Sequence, residues 1–371
     1  MTNRKKVVIL GGGTGSSRVL MSLKDLPFDI TSVVTVSDDG RSTGILRKEF
    51  TAPGMGDIRK VLSNLSTLPD EVKDIMEYRF STYSDLNNHS VGNLVLTAYM
   101  KKTGSLEESI EYYSKLLRVK QTVLPLSEDN LVLMGETTDG EIIEGEAELT
   151  DSGKKFERIF YKEEPHVLPR VISAINEADL VIISIGSLYT SILPHLICKD
   201  VVKAINETPA KVMYLCNAMT QPGETDGFGV SDHIKTLEKY LGKGTIDVVV
   251  ASNTKIDEED SKSKRNTFMS NKNTNSDFSI THVVAANDNN TALANSNNNI
   301  VNAKEENPLT CQDLLNVLQG NDNKEEEKHS IKVNESDNLE YDTEELNKAR
   351  NEANNGEQFS LNQDEDDEDD E

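Results

Sequence analysis

Residues 6–23 read KVVILGGGTGSSRVLMSL, and the fold turns on how they are read. Val7, Val8, Ile9 and Leu10 form a short continuous apolar run, the composition of a strand buried on both faces of a parallel sheet. Gly11, Gly12, Gly13, Thr14 and Gly15 follow at once, and Val19, Leu20 and Leu23 then recur at helical spacing. Strand, glycine turn and helix make the layout of a phosphate site. Glycine lets the backbone approach an anion, and a helix start offers free N–H groups at the positive end of its dipole. The strict G-x-G-x-x-G spacing is not met, because Ser16 stands where the third glycine would be. The plain alternative is a tight turn of an α/β domain that binds nothing.

Further apolar runs follow at 30–36 (ITSVVTV), 179–185 (DLVIISI), 211–217 (KVMYLCN) and 246–251, with helical stretches between them. The alternation predicts an α/β fold, a Rossmann-like doubly wound and mostly parallel sheet. Helices are read over 62–83 and 106–117, and another from Pro169 to Ala178. Between about 121 and 165 the pattern alternates apolar and polar, with Asp139-Gly140 as a hairpin signal. This predicts a small inserted antiparallel β unit, over 123–126, 131–136, 141–148 and 156–161, that covers the site without chemistry of its own.

Polar loops end the apolar runs. Asp38 and Asp39 follow the second, where a carboxylate accepts from a ribose in dinucleotide folds, or a pair holds Mg²⁺ beside a phosphate. A solvated Asp-Asp-Gly turn is the plain alternative. Asp57 reads as the cap of a helix and Arg59 as a first-turn cation, which is unfavourable to the dipole. A phosphate or carboxylate partner would explain Arg59, and so would a surface position. His89 and Asn93 lie four apart and share a face if a helix begins at His89, although a structural histidine is the commoner case. Gly186 and Ser187 repeat the opening logic after the run at 179–185 and would present a second ring of N–H donors. Asn217 ends the run at 211–217.

Composition bounds the rest. The 371 residues carry a net charge of −25, and residues 321–371 hold 20 acidic against 5 basic side chains. No basic stripe suits nucleic acid. The expected plan is a core over 1–257, an Asn-rich part over 258–320 with weak apolar patches at 278–286 and 300–301, and a disordered acidic tail over 321–371. That tail is a solubilising segment or a docking point for a regulatory partner protein. Cys198, Cys216 and Cys311 show no C-x-x-C pairing, which predicts reduced thiols and a cytoplasmic location. No apolar window is long enough for membrane insertion, and the four-residue run before the glycines is too short for a signal peptide. Oligomeric state is left open, with a homo-oligomer among the readings.

Six ordered motifs then identify a family. GGGTG (11–15), VSDDGRSTG (36–44), GDIRK (56–60), HSVGNL (89–94), GSLYTSILP (186–194) and CNAMTQPGETDG (216–227) resemble the CofD/YvcK group, and the last two resemble its YvcK branch, the gluconeogenesis factors. The resemblance implies a nucleotide-sugar (UDP-sugar) binding regulator required for cell shape and wall synthesis during gluconeogenic growth. It implies that Gly12, Gly13 and Thr14 approach the ligand's phosphates. It places Asp38 and Asp39 beside ribose, phosphate or metal. His89, Asn93, Gly186, Ser187 and Asn217 would line the same crevice. The related CofD branch, 2-phospho-L-lactate transferase, supplies the alternative, a transferase using a nucleoside diphosphate donor with Mg²⁺. An NAD enzyme is a third reading, weakened by Ser16. The sequence departs from the family at Arg41, at Ser184-Ile185 before Gly186, and in lacking the family's C-terminal E-x-x-x-x-Y and R-H-D motifs, which leaves open an altered ligand affinity, an altered ligand choice or a partly degraded site.

Overall fold

The computed structural model describes residues 4–251, 282–285 and 300–302. The chain opens with β1 (Lys5–Gly11), α1 (Thr14–Leu23) and β2 (Phe28–Val34). Five helices follow, α2 (Arg41–Phe50), α3 (Gly56–Leu65), α4 (Asp70–Glu77), α5 (Val91–Thr103) and α6 (Leu106–Leu116), before β3 (Thr122–Pro125). A small unit comprises β4 (Leu133–Thr137), β5 (Ile142–Glu144), α7 (Glu146–Asp151) and β6 (Phe156–Tyr161). The second half of the sheet brings α8 (Pro169–Asn176), β7 (Leu180–Ile183), a π-helical turn (Leu188–Ile192), α9 (Leu193–Leu196), α10 (Lys199–Glu207), β8 (Lys211–Leu215), α11 (Val230–Leu241) and β9 (Val248–Ala251). Two further strands, β10 (His282–Ala285) and β11 (Ile300–Asn302), complete it.

The main sheet has the order β3-β2-β1-β7-β8-β9-β10-β11. Its first six strands are parallel, and β10 and β11 add an antiparallel edge. β1 is central, with Val7 opposite Ile30 on one side and Leu180 on the other. Val7, Val8, Ile9 and Leu10 are all buried, as expected for a strand covered on both faces. From β1 the chain passes through α1 to β2 on one side, and it reaches β7 on the other side only much later. The carboxyl ends of β1 and β7 therefore mark the point where strand order reverses, which is where ligands enter open α/β sheets.

The α/β reading and the inserted antiparallel unit stand, and the structure redraws several boundaries. Thr122–Pro125 pairs with β2 as the outer parallel strand, so the insert begins only at β4 and forms the sheet β5-β4-β6. The alternating run at 141–148 is not one strand. Gly145, at φ +99°, ends β5, and good helix formers take over as α7. The helix read over 62–83 is two helices, because Pro69 has no N–H and bars Leu68 from the helical region. Beyond α4 the chain makes a loop that turns back at 85–88 and is closed by an antiparallel bridge between Arg79 and Ser90. The two weak apolar patches contain β10 and β11. The acidic tail, Cys311 and the positions of the missing C-terminal motifs lie outside the described residues. Among the described residues no helix is long and apolar enough to cross a membrane.

Candidate functional site

The glycine turn closes β1 and opens α1. Gly13 stands at the N-cap with helical dihedrals, and no side chain caps the helix. Thr14 is exposed and Gly15 half-buried, so the leading end of α1 faces outward. The hydroxyls of Ser16 and Ser17 turn back onto the carbonyls of Gly12 and Gly13. Ser16 thus braces the turn from behind, where a third glycine was expected. His195, fully buried, reaches the Gly11 carbonyl through Nε2 at 3.2 Å. Burial pushes its pKa down to about 4, so a neutral imidazole donates there.

Three neighbours, Asp57, Ser191 and Ile185, hold this turn tightly. A Cβ on Gly13 would run into the Asp57 carboxylate and lie 2.9 Å from the Asp57 Cα. A Cβ on Gly12 would lie 2.7 Å from Ser191 Oγ and 2.9 Å from Asp57 Oδ2. A Cβ on Gly15 would strike the Ile185 carbonyl. The glycines are therefore required by packing, and the turns after β1 and β7 touch.

The turn after β7 does not offer a ring of free donors. Gly186 N–H donates to Asn217 Oδ1 at 3.0 Å, and Asn217 Nδ2 donates back to the Gly186 carbonyl at 2.6 Å. Ser187 Oγ accepts from Thr190 N–H at 3.0 Å and donates to Glu224. Leu188 N–H also reaches Glu224, at 3.2 Å. Burial raises the Glu224 pKa, and these two donors oppose the rise. Side chains of the 217–229 loop thus satisfy donors that the sequence suggested were free.

Past β2, the adjacent carboxylates diverge. Asp38 accepts Gly40 N–H at 3.0 Å and Thr43 Oγ1 at 2.9 Å. Asp39 accepts Ala147 N–H at 2.8 Å, at the start of α7 in the insert. Each is spent on a different element, and among the described residues no group of three or more His, Cys, Asp or Glu side chains is set to hold a metal. Glu146, on α7, accepts from Ser37 Oγ at 2.9 Å. Burial, then the charges of Asp38 and Asp57, push the Glu146 pKa well up. Burial, then Asp57, raises Asp38 as well. Glu146, Asp38 and Asp57 thus form one crowded acidic wall. Arg47 fixes its backbone, donating from Nη1 to the Ser37 carbonyl at 2.7 Å and the Asp38 carbonyl at 3.1 Å.

Asp57 lies in the first turn of α3, where a carboxylate suits the dipole, but the cap position is Met55. Lys60 Nζ pairs with Asp57 Oδ1 at 2.9 Å. Arg59 is not a surface arginine. It is 1% exposed and ion-pairs with Glu77 at the end of α4. His89 precedes α5, whose cap is Ser90, so His89 and Asn93 share no helix face. His89 is buried and bonds Ser42 Oγ through Nδ1 at 2.8 Å. Asn93 N–H donates to Ser90 Oγ at 3.2 Å, and Asn93 is buried too.

The glycine turn, Asp57, Ser191, Gly186 and Asn217 are therefore gathered at the strand-order reversal, with Asp38 and Glu146 beside them. Arg59 and Asn93 stand behind, in the helical layer. Sequence reasoning missed Glu146, Lys60, Arg47 and Glu224. Lys60 had a signal, three residues after Asp57 in the GDIRK motif. Glu146 had none, since it belongs to a unit that reads as mere cover.

Comparison with known proteins agrees with this architecture. The family described as 2-phospho-L-lactate transferase CofD matches residues 7–295. The gluconeogenesis factor of Bacillus subtilis is 43% identical over 260 residues, spanning 70% of this chain and 82% of that protein. That of Halalkalibacterium halodurans is 42% identical over 248 residues, 67% of this chain and 77% of its own length. A crystal structure of a Bacillus halodurans protein superposes with a TM-score of 0.68 at 40% identity, covering 71% of this chain and 85% of that one. The glycine turn, the reversed strand order and these matches along most of the described core place the chain in the CofD family, beside relatives named gluconeogenesis factors.

Proposed function

We propose that this protein binds a nucleotide sugar of the UDP-sugar class in the crevice at the ends of β1 and β7. In this reading it acts as a regulatory binding protein in gluconeogenic growth and cell-shape control. The observation that carries the proposal is the outward-facing, uncapped start of α1 at the strand-order reversal. Thr14 and Gly15 N–H groups take the phosphates. Asp38 and Glu146, half-buried carboxylates, accept hydroxyls of ribose or sugar. Asn217, Gly186 and Ser187 form the opposite wall, His89 holds the α2 start through Ser42, and Asp57 supports the glycine turn. Arg59 and Asn93 support it from behind.

No reaction step is assigned. The acidic wall would receive hydroxyl donors. The Asp38–Asp39 geometry disfavours the Mg²⁺-dependent transferase reading. Thermal stabilisation tests the proposal, because a ligand that binds only the native state raises the midpoint with concentration. UDP-N-acetylglucosamine and UDP-glucose should raise it with or without Mg²⁺, and NAD should not. A rise only with guanine nucleotides and Mg²⁺ would favour the transferase instead.

A further inference from the structure

Three cations near the glycine turn have partners that the described residues define, and only one of them is free to meet a ligand. Arg47 spends Nη1 on the Ser37 and Asp38 carbonyls, Nη2 on the Leu131 carbonyl and Nε on Asn130 Oδ1. Arg59 is sealed against Glu77. Lys60 keeps 38% of its side chain exposed. Its Nζ is 2.9 Å from Asp57 Oδ1, and the Asp57 carboxylate is the group that abuts Gly12 and Gly13. The ammonium thus stands one carboxylate away from the glycine turn.

We propose that Lys60 is the cation that holds the ligand's phosphate at the glycine turn. The nucleotide-sugar reading above supplies the ligand's identity, on which this rests, and the charge balance supplies the need for Lys60. Asp38 and Asp57 would repel a phosphate, and a helix dipole amounts to only about half a charge. An ammonium has three N–H donors. One serves Asp57, and two remain for phosphate oxygens, so the ion pair need not break. The attraction of Asp57, then of Asp38, raises the Lys60 pKa against the cost of burial, so the side chain is charged at any physiological pH. Asp57 in turn sets where the ammonium waits. Lysine acts here as a point charge, as phosphate-binding lysines do.

Isothermal titration at low salt tests this with two probes, UDP-N-acetylglucosamine and inorganic pyrophosphate, against wild type, Lys60→Gln and Lys60→Arg. Losing a charge-assisted contact should weaken both probes about tenfold in Lys60→Gln, flatten the salt dependence, and be largely rescued in Lys60→Arg. Lys60 is the ion-pair partner of Asp57, so the Gln variant should melt somewhat below wild type while Lys60→Arg should not, and binding is read on the folded variants. Wild-type affinity and salt dependence in folded Lys60→Gln would overturn the assignment. If wild type takes pyrophosphate but no UDP-sugar, the nucleotide-sugar reading falls and the pyrophosphate comparison still decides the role of Lys60. If wild type takes neither, both fall.

Discussion

Asp57 lays its carboxylate against Gly12 and Gly13, so the start of α3 is keyed into the turn between β1 and α1. The glycines serve this contact before they serve any ligand. α1 and α3 pack side by side along the same layer, and a shift of one moves the other.

Gly13→Val should therefore unsettle the fold as well as any binding. The new Cβ meets the Asp57 backbone, which cannot rotate away. Overpacking of this kind costs about 1–3 kcal/mol. Chemical denaturation should show that loss without ligand present. An unchanged unfolding midpoint would mean that the turn is looser than its packing indicates.

The Arg59–Glu77 pair predicts an asymmetry. Arg59 is 1% exposed, while the Glu77 side chain is 40% exposed. Glu77→Leu strands a buried guanidinium, at a cost of about 3 kcal/mol. Arg59→Met leaves Glu77 on a side chain that is 40% exposed and can turn its now buried Oε1 towards water, and should cost about 1 kcal/mol. Equal losses in urea titrations of the two variants would contradict the burial argument.

Glu146 gives a pH dependence with a definite sign. Its folded-state pKa lies well above its ordinary value of 4.5, so over that window the native state holds a proton that the unfolded chain has released. Stability then falls as pH rises from the ordinary value towards the folded one. Glu146→Gln removes the penalty and should raise the melting temperature at pH 7–8 by about 2–4 °C, roughly 1 kcal/mol in a domain of this size. The gain should vanish near pH 4. A variant less stable than wild type at pH 8 would refute this.

Glu224 ties the 217–229 loop to Ser187 and Leu188 N–H. Glu224→Ala should leave the core strands protected from hydrogen exchange while amides 187–190 and 217–229 exchange about tenfold faster or more, as a local opening near 1.4 kcal/mol requires. Unchanged protection in that loop would show that other contacts hold it.

The sheet was legible because a strand covered on both faces needs a continuous apolar run. Residues 7–10, 180–183 and 212–215 met that condition in sequence as in structure. The glycine turn was legible for a similar reason, since few other residues fit there. The helix over 62–83 was misread because its apolar spacing runs across Pro69, whose effect is local and whose neighbours remain helix formers. For Arg59 the sequence left a surface position and a phosphate or carboxylate partner all open, because the partner it has, Glu77, lies 18 positions away on another helix. Glu146 was invisible for the same cause. Its crowding with Asp38 and Asp57 exists only once the insert folds onto the end of β2.

As proposed here, the crevice between β1 and β7 receives a nucleotide sugar without a metal. Calorimetric titration of UDP-N-acetylglucosamine into the protein with a chelator present is the decisive measurement. Binding should be saturable, with one ligand per chain, and unchanged when Mg²⁺ replaces the chelator. Binding lost in the chelator and restored in Mg²⁺, or binding of guanine nucleotides alone, would rule the proposal out.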